Sequence, residues 1–203
     1  MTAMLSKGQR TAQRILDAAE VLFAERGYNG ATLREVAQVV GIREPGLYRH
    51  FASKELLYRS VLDRGLRPIA DVLDELIAAN PSSQQLGQLP AAMIDLLAEH
   101  PHLAALFQQA LQNHETSLGD KLLDEWLHRL LANGKRLMAA AGLNELDDTE
   151  VTLRVINLFN VCTAYFTANT LITRLSGADA LSDHVLERQK KLVTQIIHGW
   201  MIG

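Results

Sequence analysis

The sequence predicts an all-α protein. Apolar residues recur at the 3.6-residue spacing of amphipathic helices almost from end to end, and no stretch sustains the period-2 alternation that a half-buried strand needs. The breaks are short and fall on helix-stopping residues, at Gly27, Gly41, Asn80-Pro81, Pro101, Gly119, Gly142 and Gly177, which suits antiparallel helices joined by tight turns. At 203 residues, 48% apolar and 21% charged, the chain can bury a core without disulfide or metal staples, and its composition excludes a disordered protein.

The first helix is expected from Ser6 to about Arg26, with Ile15, Ala18, Ala19 and Leu22 on one face and Gly27 as its stop. The second begins after Thr32, where TLRE forms a capping box with Glu35 reaching back, and it ends at Gly41. Val36, Ala37 and Val40 are its apolar side. A short third helix carries Pro45 in its first turn, where a missing N–H costs nothing. Leu47, Tyr48 and Phe51 are its inward-facing residues. Ser53 caps a long fourth helix, Lys54 to Ala79. Further helical patterns lie near 86–98, 101–114, 119–141, 148–175 and 181–200.

Charge is unevenly placed. The net charge is −3, yet residues 1–67 hold 11 Lys and Arg against 7 Asp and Glu, so the first third carries +4 and the remainder −7. Two readings stand: chance segregation, or a basic head that meets a polyanion. No apolar stretch of signal-peptide type follows MTAMLSKGQR. The uncharged run between Arg154 and Arg174 contains Asn157, Asn160 and Asn169 and four threonines, too polar for a membrane span. With a single cysteine, Cys162, an intrachain disulfide framework and a cysteine-based zinc site are excluded. A cytoplasmic protein without membrane contact is the expectation.

Thr32–Val40, the turn Gly41-Ile42-Arg43 and Glu44–His50 form a helix-turn-helix. The second helix of such a pair can enter the major groove, where base edges present a distinguishable pattern. Its outward positions would be Glu44, Gly46, Arg49 and His50. An ordinary αα-corner uses the same glycine and the same apolar spacing, so the pattern alone leaves both readings open.

The segment ATLREVAQVVGIREPGLYRHFASKELL resembles the DNA-binding signature of TetR-type transcriptional regulators, and Arg14–Tyr28, RILDAAEVLFAERGY, resembles the first helix of that family. The resemblance covers about residues 9–69, a helix-turn-helix DNA-binding domain. It implies that 70–203 form an antiparallel helical bundle for ligand binding and dimerisation. It further implies a homodimeric regulator, repression through a palindromic double-stranded DNA operator, and release by a small-molecule effector. No cofactor, metal or catalytic residue is implied.

Carried over position by position, Thr32 caps the second helix and Arg34 contacts base or phosphate. Arg43, Glu44, Gly46 and Arg49 lie on the groove-facing surface, Tyr48 and His50 hydrogen-bond phosphates, and Lys54 contacts a phosphate at the start of the fourth helix. Three positions depart from the family, of which Pro45 is a familiar variant that starts the helix well. Arg43 stands where a capping side chain is usual, a loss of about 1 kcal/mol. Gly46 stands where a hydroxyl residue often packs on a thymine methyl, which moves the reading to Arg49, Glu44 and Arg34. Lys7, Arg10 and Arg14 share one face of the first helix, as a solvated basic stripe or as phosphate contacts.

Gly65 and Pro68 interrupt the fourth helix pattern, read either as a helix end or as a kink. The helices near 148–175 and 181–200, with Ile197 and Trp200, are the dimerisation elements or plain core. Phe107, Trp126, Phe159, Cys162 and Phe166 are the ligand-pocket residues where the resemblance places a cavity. Asn157, Asn160 and Asn169 should be buried and therefore need partners. His100 and His102 point different ways on a helix and make no metal site. Two other classes remain against the regulator: a small helical enzyme, for which no nucleophile elbow, P-loop, dinucleotide fingerprint or HExxH is present, and a protein-binding adaptor.

Overall fold

The computed structural model describes residues 6–79, 87–113, 117–140, 142 and 146–202, and these are helical with short turns. In chain order the helices are α1 (Lys7–Gly30), α2 (Leu33–Val40), α3 (Glu44–Tyr48), α4 (Lys54–Ala78), α5 (Leu89–Glu99), α6 (His102–Asn113), α7 (Ser117–Ala140), α8 (Asp148–Thr167), α9 (Asn169–Ser176) and α10 (Asp183–Ile202). The Asn80-Pro81 break lies outside the described residues.

The start signals work as local chemistry dictates. The Ser6 hydroxyl accepts from the Gln9 N–H at 3.2 Å and the Ser6 N–H donates to the Gln9 carboxamide oxygen at 2.8 Å, closing a capping box on α1. Thr32 does the same with Glu35 on α2. Ser53 accepts from the Leu56 N–H at 3.1 Å at the start of α4, and Asp147 accepts from Glu150 at the start of α8.

Several boundaries differ from the sequence reading. Gly27 takes a left-handed φ of 69°, but the chain re-forms a helical turn behind it and α1 closes at Gly30. Gly119 does not interrupt α7, and α4 runs through Pro68, so no helix ends there. The 148–175 pattern is two helices rather than one. Ala168, at φ −93° and ψ 5°, leaves the helical range, and α8 and α9 meet at 61°. Among the described residues no single helix is long and apolar enough to cross a membrane.

The residues group into two compact units, the first holding 1–64 and 106–123, the second 65–105 and 124–203. In the first, α1 packs on α2 and α2 on α3. Its core is Ile15, Ala19, Phe23, Val36, Leu47, Leu57, Val61 and Leu62, joined by Leu106 and Phe107. Phe23, Tyr28 and Tyr58 form an aromatic cluster, with Phe23 edge-on to Tyr58 at 5.1 Å. Arg64 on α4 bonds both Asp17, at 2.6 Å, and the buried Glu20 on α1. Gln109 donates to the Ala24 carbonyl at 2.9 Å.

In the second unit α5 packs on α8 and α10, and α8 on α9 and α10. Asp74 on α4 accepts from Asn133 at 3.0 Å and pairs with Arg129, both on α7. Those two hydrogen bonds, Asn133 first, hold the Asp74 carboxyl below the usual carboxylate range. Gly134, also on α7, lets α8 come close: a Cβ there would stand 2.5 Å from Val155 Cγ2. We therefore expect Gly134→Ala to destabilise the protein. Overpacking a β-branched neighbour costs about 1–3 kcal/mol, against a helix-propensity gain of about 0.5–1 kcal/mol. A rise in the thermal midpoint would contradict that packing.

Candidate nucleic-acid interface and ligand cavity

The turn between α2 and α3 is built by Gly41 in a left-handed conformation, φ 73° and ψ 35°. Its N–H and that of Ile42 bond back to the carbonyls at the end of α2, with Ile42 reaching Ala37 at 3.0 Å. A residue with a Cβ would be strained there. The Arg14 guanidinium adds a further donor, 2.5 Å from the Val40 carbonyl, and fixes the end of α2 to α1. The sequence left Arg14 between a solvated stripe and a phosphate contact. The structure gives it an internal partner whose identity no local pattern reveals.

Leu47 anchors α3 with no exposure at all. The apolar pattern placed Tyr48 inward beside it, whereas the resemblance placed it on a phosphate; it is 48% exposed. Successive helical residues point about 100° apart, so with Leu47 in the core its neighbour faces out. Phe51, just beyond the helix, is half-buried. Arg43 precedes α3 without any side-chain cap, and Pro45 occupies the first turn. Glu44 lies in that turn, where the helix dipole favours a carboxylate.

The other candidates fall around this hairpin. Arg34, Arg43 and Arg49 are exposed; Glu44, Gly46, His50 and Lys54 are half-buried. Lys54 stands 4.4 Å over the Tyr28 ring and 3.5 Å from the Asn29 carbonyl, which positions the ammonium at the start of α4. Thr32 is committed to the cap. Its hydroxyl accepts from the Glu35 N–H and donates to the Glu35 carboxylate at 2.7 Å. That hydroxyl, with the Thr32 N–H and the Arg26 guanidinium 2.5 Å away, holds Glu35 below the usual carboxylate range. Thr32 thus sets the start of α2 rather than offering a free donor.

The second unit contains a cavity of about 100 Å³, room for several water-sized molecules. Leu73, Leu89, Met93, Leu137, Phe159 and Ile197 are on its wall, and Arg154 is the charged residue among the lining groups. The Arg154 Nε donates to Glu150 at 2.9 Å, one turn earlier on α8. Of the five residues expected in a pocket, the structure brings Phe159 to this wall. Trp126 packs edge-on against Phe159 at 5.6 Å. Phe107 belongs to the core of the first unit, and Cys162 and Phe166 are buried away from the lining. Burial pushes the Cys162 thiol up to about 12, so it is a packing group and not a nucleophile.

Asn157 and Asn160 were expected to be buried, yet both are exposed on α8. They share an outward stripe with Leu153 and Ile156, and α10 exposes Leu192 and Ile196. The Trp200 side chain lies outside the described residues.

A helix-turn-helix held by an internal core, with arginines outside it, is an arrangement that can dock on DNA. Residues 15–61 match the model for bacterial regulatory proteins of the tetR family. It is 35% identical over 97 residues to the HTH-type transcriptional activator FasR of Mycolicibacterium smegmatis, covering 47% of this chain and 43% of that protein. It is also 35% identical over 108 residues to the HTH-type transcriptional repressor KstR2 of Mycobacterium tuberculosis, covering 50% and 52%. The chain spans about half the length of these curated relatives. Among solved structures, the ketosteroid transcriptional regulator KstR2 of Mycobacterium tuberculosis has a TM-score of 0.70 at 18% identity, covering 93% of each chain. FadR of Bacillus subtilis, solved in complex with stearoyl-CoA, has a TM-score of 0.62 at 21% identity, covering 90% and 97%. At those identities the structural likeness speaks for the fold alone.

Proposed function

We propose that this protein is a ligand-responsive transcriptional repressor that binds a palindromic operator as a homodimer. Residues 9–69 carry the DNA-binding function, and 70–203 carry ligand binding and dimerisation. The observation that carries the reading is the α2–α3 hairpin, whose inner face is closed by Leu47 while Arg34, Arg43, Tyr48 and Arg49 face solvent. Arg49 reads a base edge. Lys54, Tyr48 and His50 hold phosphates.

The exposed Leu153, Ile156, Leu192 and Ile196 on α8 and α10 support pairing of two copies through those helices. The almost wholly apolar cavity lining supports a lipophilic effector, since a polar ligand would lose its hydrogen bonds to water there. The steroid and acyl-CoA chemistry named for KstR2 and FadR points the same way. Effector binding lowers operator affinity.

The test is a pair of substitutions measured on a duplex selected from a random library. Arg49→Ala should lose about 1–3 kcal/mol of discrimination at one base position per half-site. Lys54→Ala should weaken every sequence alike. Unchanged specificity in Arg49→Ala would refute the groove assignment.

A further inference from the structure

The cavity of the second unit measures about 100 Å³, whereas native interiors hold few voids larger than one water molecule. Its wall is helical, with Leu73 on α4, Met93 on α5, Leu137 on α7, Phe159 on α8 and Ile197 on α10. Backbone amides and carbonyls inside a helix bond along that helix and are spent before an occupant reaches them. A helix start is the exception, because its first amide protons have no partner within the helix. α5 starts at this wall, and Pro90 in its first turn has no amide proton to offer. Arg154 is the charged residue among the lining groups, and its Nε is committed to Glu150 at 2.9 Å. The Glu150 carboxylate offsets that guanidinium and repels a second anion. An ionised head group would therefore leave water for a wall that returns little in exchange.

Volume sets the size of the occupant. A dry apolar cavity of about 150 Å³ takes benzene, and about 10–15 Å³ is enough for one water-sized group. On that scale this cavity holds about six to ten non-hydrogen atoms. Met93 and Met138, unbranched and soft, let the wall follow the shape of an apolar ring or short chain. Resting on the reading of this cavity as the effector site, we propose that it takes a small neutral hydrocarbon-like molecule, of the size of an alkylbenzene and without an ionised head group. Arg154 and Glu150 then serve as a closed ion pair at the wall and not as an anchor for the ligand.

The experiment titrates the protein, without DNA, with ethylbenzene, with phenylacetate, which carries the same ring on a carboxylate, and with progesterone, a neutral four-ring molecule. Ethylbenzene at about ten times its dissociation constant should raise the thermal midpoint by about 3–6 °C. It should also shift the emission of Trp126, which packs edge-on against Phe159 of the wall. Phenylacetate should bind about tenfold or more weaker. Leu130→Phe, which pushes a ring into the space, should abolish the ethylbenzene response; full ethylbenzene affinity in that variant would place the molecule elsewhere and overturn the proposal. The order of the three probes on the wild-type protein decides the ligand class whether or not that variant folds. Phenylacetate binding as tightly as ethylbenzene would overturn the neutral class, and progesterone binding where ethylbenzene does not would overturn the size; either leaves an effector site in place. If none of the three binds, the effector reading falls and this inference goes with it. Ethylbenzene binding that leaves affinity for the selected duplex unchanged would support the ligand class and refute release from the operator.

Discussion

Between 50 and 200 mM monovalent salt, affinity for the operator duplex should fall about 10³–10⁵-fold. Each phosphate neutralised by a cation releases condensed counterions, so the logarithm of the affinity declines linearly with the logarithm of salt. Each protomer offers exposed Arg34, Arg43 and Arg49 and a positioned Lys54, within a first third that carries +4. On the proposed dimer, two protomers would neutralise about 6–10 phosphates. The net charge of −3 hides the basic head, because the acidic remainder cancels it in the sum. Fluorescence anisotropy across that salt range gives the slope directly. A flat response would return the chain to the adaptor or enzyme classes.

Arg64→Met should destabilise the protein by about 3–5 kcal/mol, which for a chain of this length lowers the thermal midpoint by roughly 6–20 °C. Glu20 is 4% exposed, and the Arg64 guanidinium bonds it and Asp17 at once. Methionine keeps the apolar stem of the side chain and removes the charge, so the buried Glu20 carboxylate loses its guanidinium. The cost comes from removing the guanidinium beside a buried charge rather than from any large net gain in the intact pair. Arg64→Met combined with Glu20→Leu should therefore recover most of the loss. A single variant that melts like wild type would show that water reaches Glu20 freely.

The local punctuation of the chain was readable because it depends on neighbours within a few residues. The Thr32–Glu35 capping box, the left-handed Gly41, Pro45 in the first turn of α3 and Ser53 before α4 all stand where the sequence puts them. Features set by distant partners were not readable. Tyr48 turned outward because Leu47 took the core, and two adjacent apolar residues leave the choice open. Phe107 went to the first unit because α6 packs there, which no spacing within α6 encodes. Of five pocket candidates only Phe159 reached the cavity wall, because large apolar residues look alike whether they line a space or fill one. Arg154 was the signal available: a charge breaking an otherwise apolar helix face. Asn157 and Asn160 lie on the exposed stripe of α8 that is proposed to pair with a second copy, and the periodicity of one chain does not tell a face covered by its own core from one covered by a partner.

Hydroxyl-radical footprinting of the selected duplex decides whether two α3 helices enter one face of the DNA. Two protected tracts should appear, with centres about one helical turn apart or a whole multiple of it, and with the two half-sites inverted. Arg49→Ala should leave the backbone protection in place at raised protein concentration while removing the preference for that sequence. Uniform protection without sequence dependence, or one tract alone, would contradict a paired helix-turn-helix as the working part of this protein.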